Sequence, residues 1–166
     1  MLRFKALTLV TLLACAGASA QILAEDPDWR ESTVTSAPAF DVKRLIRLES
    51  PPGSSLAFGV DPATLLVTPE GVVRYVIVAS GPEGSLNVMY EGIRCSTAQY
   101  RIYARHHTET GWTQVRDGDW ESLFGSASAR HALTFARAGA CTGRSANTSA
   151  DTIIRTLKTD RQTGYE

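Results

Sequence analysis

Between Phe40 and Val115 the chain runs in short apolar stretches cut by glycine, proline and small polar residues. The stretches are rich in β-branched and aromatic residues and only four to eleven residues long, which predicts strands rather than helices. They cover 40–48, 55–61, 64–68, 72–80, 85–95, 100–107 and 112–115. In 72–80, Val73, Tyr75 and Ile77 fall on one face and Val72, Arg74, Val76 and Val78 on the other. Both faces are largely apolar, as in a central strand covered on two sides. The links "PEG" (69–71), "GPEG" (81–84), "STAQ" (96–99) and "TETG" (108–111) are too short for crossover helices, so neighbouring strands must run antiparallel.

The pattern changes beyond 115. "DWESLF" (119–124) is read as a helical turn, and 129–140 fits neither period. At the C-terminal end Ile153, Ile154 and Leu157 recur at helical spacing, behind a capping-box pair Thr148 and Asp151. Lys158 and Arg161 suit the negative end of the helix dipole, and Gly164 is placed to close it. The expected fold is therefore α+β and mainly β. An antiparallel meander carries one C-terminal helix, 149–161, packed on it, within a compact domain spanning 40–166.

The N-terminal part differs again. Arg3 and Lys5 precede the apolar run "ALTLVTLLA" (6–14), and "ASA" (18–20) offers a small-residue exit. This is a signal-peptide pattern, with residues 1–20 removed by cleavage between Ala20 and Gln21. The run is too short to span a bilayer. A competing reading takes "LLAC" (12–15) as a lipoprotein signal, with Cys15 lipidated and anchoring the domain at the membrane. Residues 21–39 are polar, proline-punctuated and without period, which reads as a flexible arm with Trp29 as a docking point.

Charge changes this picture little. The 17 basic and 17 acidic residues balance. Loss of Arg3 and Lys5 with the signal leaves 15 basic against 17 acidic, a balance of −2. No nucleic-acid partner is expected from such a chain. The cysteines say more. Either processing route leaves Cys95 and Cys141 as a pair. In an oxidising compartment the economical reading is one disulfide; a metal site or a nucleophilic thiol are the alternatives, and paired zinc ligands are not close by.

Candidate chemistry is sparse. His106 and His107 are adjacent on a strand, so their rings face opposite ways and cannot simply share one ion. "DGD" (117–119) lacks the remaining oxygens of a calcium loop. Ser126, Ser128 and His131 contain the residue types of a hydrolase, but "GSASA" (125–129) has Ala129 where a nucleophile elbow needs glycine. No cofactor is expected. The remaining candidate is a binding surface of aromatic and charged residues on the sheet, comprising Arg74, Tyr90, Glu91, Arg94, Tyr103 and Trp112, with Arg74 and Glu91 paired across the ladder if they share a face.

The sequence "EGVVRYVIVAS", followed by "NVMYEGIRC", "YRIYA" and Trp112, resembles the cryptic neisserial protein-like family of proteobacterial envelope proteins. The acidic stretch ending at Trp29 and the position of Cys141 fit the same family, so the likeness covers roughly the whole mature chain. It implies a periplasmic or lipoprotein-like location and brings no activity, cofactor or catalytic residue with it. The expected function is a non-catalytic envelope module that binds a protein, a peptide or a glycan, not an enzyme. The competing readings are a hydrolase using His131 or His106, and a structural lipoprotein anchored through Cys15. Location is expected in the periplasm, or on a membrane facing it.

Overall fold

A computed structural model describes residues 26–116 and 118–163. The signal segment, with Ala20, Gln21 and Cys15, lies outside the described residues, as does Gly164. The described chain forms an antiparallel sheet of eight strands. In chain order these are β1 (Ile46–Leu48), β2 (Ala57–Val60), β3 (Leu66–Val67), β4 (Val72–Ser80), β5 (Leu86–Arg94), β6 (Gln99–His107), β7 (Gly111–Gln114) and β8 (Glu121–Ser122). Six lie in the order β1-β2-β4-β5-β6-β7, while β3 adds to β4 and β8 adds to β6. After β8 come a single 3₁₀ turn, the helix α1 (Arg130–Phe135), the two-stranded hairpin β9 (Cys141–Thr142) and β10 (Ser145–Ala146), and the helix α2 (Ala150–Thr163). The mainly β, α+β meander with a C-terminal helix is thus present.

The pattern of β4 is realised as read: eight of its nine residues are buried. Val73, Tyr75, Ile77 and Ala79 join Met89, Ile93 and Tyr100 in the main core, which α1 and α2 close through Ala132, Phe135, Ile153 and Leu157. Tyr75 meets Phe135 with ring centroids 4.5 Å apart. On the other face Val76, Val78, Val88, Tyr90, Tyr103 and Ala104 form a second cluster, covered by Val34 and Ala37 of the N-terminal arm and by Phe40, Leu45 and Trp112. Burial on both faces explains why β4 can run for nine residues with almost no polar positions.

Three local details differ from the sequence pattern. The segment 119–124 is not a helical turn, because Glu121 and Ser122 pair with Tyr100 and Gln99 as β8. The stretch 129–140, which fits neither period, forms α1 followed by a wide turn over 136–140 that contains Gly139 (φ 142°), where a Cβ would sit 3.0 Å from the Thr156 side chain of α2. The cap of α2 moves by one residue. Ser149, not Thr148, accepts the Thr152 backbone N–H at 3.1 Å, since Ala150 and not Ser149 opens the helix.

Cys95 and Cys141 are joined by a disulfide, with Cα atoms 5.8 Å apart. It ties the end of β5 to the β9–β10 hairpin and so fixes the start of α2 against the sheet.

Candidate functional site

The site is set by an irregularity between β5 and β6. Tyr90 pairs with Ala104, but Glu91 pairs with Ile102, so β6 carries one extra residue, Tyr103, at that step. Period-two alternation would send Tyr100, Ile102, Ala104 and His106 to one face. The bulge resets the count. Tyr100 and Ile102 face the helices, whereas Ala104 joins the cluster on the opposite face. Arg105, opposite Met89, then turns to the helix side, and His106 packs against Phe40 and Trp112 at 5.0 and 5.2 Å. Gly92 beside the bulge has to be glycine. A Cβ there would overlap the Tyr103 ring and hydroxyl.

On the helix side this leaves a cleft of about 430 Å³ between the sheet, the 51–54 loop and the segment from Glu121 to His131. Phe58, Met89, Ile102 and Leu56 supply apolar lining, while Asn87, Arg105, Glu121, Ser128 and Arg130 supply polar groups. His131 forms part of the wall. Its ring stacks on Phe58 (5.6 Å, 8°) and meets Tyr100 edge-on at 5.9 Å.

Behind His131 is Glu91, fully buried. His131 Nε2 lies 2.8 and 3.0 Å from the two Glu91 carboxylate oxygens, and Tyr75 Oη donates to Oε2 at 2.8 Å. A carboxylate can only accept, so Nε2 must carry a proton. Burial opposes charge on the ring, but the Glu91 charge and hydrogen bond, helped by the Ser128 backbone, outweigh it and raise the His131 pKa. The Arg105 charge works the other way. The Tyr75 hydroxyl is pushed well up by burial and then by the Glu91 charge, so it remains a donor. An isolated buried carboxylate would be costly; here the His131 N–H and the Tyr75 hydroxyl both donate to it.

The other face holds a separate polar cluster. Glu31 of the arm accepts from Tyr103 Oη at 2.5 Å and pairs with Arg101 at 3.2 Å and Arg74 at 3.4 Å. Arg74 also donates to the Ser32 carbonyl at 2.6 Å. Trp29 places its ring 3.7 Å from the Arg94 guanidinium, touches Trp120 edge-on, and donates to the Glu70 carbonyl at 3.0 Å. Of the six residues read as a binding surface, Arg74, Tyr90, Arg94 and Tyr103 lie together beneath the arm, with Trp112 at the far end of that face. Glu91 is on the opposite face. Arg74 stands across from Gly92 and Glu91 across from Tyr75, so Arg74 and Glu91 form no cross-ladder pair.

Ser126 and Ser128 hydrogen-bond to each other at 2.7 Å on the exposed loop. Among the described residues no group of three or more His, Cys, Asp and Glu side chains gathers as a metal site. Nor is any described helix long and apolar enough to cross a membrane. The sequence singles out Glu91 and His131 separately but not as partners, and Arg105 is not among the six residues read as the binding surface. The available signal was Glu91 itself, an acid on the same strand face as Met89 and Ile93.

This arrangement defines a disulfide-tied, two-faced antiparallel sheet with an acid–histidine pair behind an open cleft. The chain belongs to the CNP1-like family, whose model matches residues 24–158 and so takes in both the arm and α2. No curated protein and no solved structure matches it.

Proposed function

We propose that this protein is an exported, non-catalytic binding module of the cell envelope, and that its ligand enters the cleft beside His131. The observation that carries the reading is the cleft itself. A volume of about 430 Å³, apolar on its floor and polar at its rim, has the size and make-up of small-ligand sites, which run from about 300 to 1,000 Å³. The disulfide supports an oxidising compartment. The sheet face read from sequence as the binding surface is covered by the chain's own arm, which moves the reading to the other side of the sheet.

The surroundings of His131 favour binding over hydrolysis. Its Nε2 is held between both oxygens of Glu91, the Ser128 backbone bonds to the ring as well, and the Ser126 and Ser128 hydroxyls bond to one another. A base for serine activation needs a free ring nitrogen within reach of the hydroxyl.

A neutral fluorescent probe, N-phenyl-1-naphthylamine, tests the cleft directly. It should saturate at one per chain. Ser128→Trp, which fills the cleft from an exposed position, should abolish the signal, whereas His106→Ala and His107→Ala should leave it unchanged. Binding that survives Ser128→Trp, or no saturable binding, would overturn the assignment. Turnover of an ester substrate that is lost in His131→Gln would replace it with the enzyme reading.

A further inference from the structure

Resting on the cleft as the binding site, we infer that its ligand is a small organic acid, an anion carried on an apolar body, and that Arg105 receives the charged group. The bulge at Tyr103 is what brings Arg105 into the cleft; without it Ala104 and His106 would face that side. Arg105 has no carboxylate at ion-pair distance among the described residues, and neither does Arg130 at the same cleft, which donates to the Pro52 carbonyl. The acids nearby are otherwise engaged. Glu91 is taken up by His131 and Tyr75, and Glu121 accepts from Tyr100 Oη at 3.3 Å. Two guanidinium groups therefore face one carboxylate across the opening.

The same imbalance is felt by the wall of the cleft, since the Arg105 charge works against protonation of His131. An entering anion would relieve both cations at once. Asn87 and Ser128 add neutral donors at the rim, and Phe58, Met89 and Ile102 would cover the body of the ligand. A charge-assisted bidentate contact to guanidinium is the strongest single polar contact this lining can offer.

The test compares two probes with the same aromatic body. 8-Anilinonaphthalene-1-sulfonate carries an anion, and N-phenyl-1-naphthylamine does not. The anionic probe should bind the full mature chain about tenfold more tightly, the difference expected of one charge-assisted hydrogen bond. Arg105→Gln should remove most of that preference, and Arg105→Glu should reverse it. Both should leave the unfolding temperature unchanged, because Arg105 is exposed and bonds to no core group. Equal affinity for the two probes, or an unchanged preference in Arg105→Gln, overturns the anion assignment while the cleft stands. Failure of both probes to bind overturns the cleft as well.

Discussion

His131 Nε2 sits 2.8 Å from Glu91 Oε1 and 3.0 Å from Oε2, inside a sheet core where Glu91 has no exposed surface. Forty residues separate the two in sequence, and β5 and α1 supply them independently. The pair couples the helix to the sheet, because either partner alone would be a buried polar group without compensation. Glu91→Ala should therefore destabilise the protein by about 3–5 kcal/mol in urea unfolding. The double substitution Glu91→Leu with His131→Phe should be far less damaging than the two single losses added together. An additive double variant would show that the two groups do not act as a pair.

Stability should fall on both sides of neutrality, for opposite reasons. The folded His131 pKa is raised by Glu91, so its contribution is full below the unfolded value, about 6.5. It is lost as pH climbs through the folded value. Asp61 is fully buried and accepts from Arg44 and from the Asp41 and Ala63 backbone. Burial alone would raise its pKa, but these bonds lower it, and Ser32 does the same for Glu70. Their contribution is present above the unfolded carboxylate value, about 4, and disappears as pH falls through the depressed ones. Thermal unfolding across pH should show an alkaline loss that vanishes in Glu91→Leu with His131→Phe. Asp61→Asn should remove part of the acid loss.

Gly92→Ala should loosen the arm without touching it. The added Cβ would overlap the Tyr103 ring and hydroxyl, and Tyr103 Oη is the group that holds Glu31. Overpacking of this kind costs about 1–3 kcal/mol. Limited proteolysis should then cut within 26–40 sooner than in the parent chain, while the Cys95–Cys141 half stays protected. Uniform sensitivity along the chain would argue instead for global destabilisation.

Free-thiol labelling of the native mature chain should find neither Cys95 nor Cys141. The disulfide closes a loop over 46 positions, for which chain entropy gives about 4 kcal/mol. Cys95→Ser with Cys141→Ser should lower the urea midpoint accordingly, and α2 should fray first, since β9 and β10 lead directly into it. Two reactive thiols in oxidised material would contradict the pairing.

The bounds of β4 and β6 were legible to within a residue, because both strands are long, β-branched and bounded by turn chemistry. The shorter strands were overdrawn. The run 40–48 contributes only Ile46–Leu48 to the sheet, and Asp61, the last residue of the run 55–61, caps a 3₁₀ turn at Pro62–Thr64. Pairing partners, not propensity, decide where such edges end. β8 reads as a helical turn for the same reason: two residues gain their strand geometry only by lying beside Gln99 and Tyr100.

By itself, the sequence determined the antiparallel pairing of neighbouring strands, the helix at the C-terminal end and the cysteine pair. These follow from local periods, link lengths and counting, which act within a few residues. Tertiary structure alone decided that Arg74, Tyr90, Arg94 and Tyr103 lie under the arm, and that His131 answers Glu91. It also decided that Arg105 rather than His106 faces the cleft. The reason is a single extra residue on β6. A bulge shifts every later side chain to the opposite face, and its position is set by the fit of Tyr103 over Gly92 across two strands, which no local pattern contains.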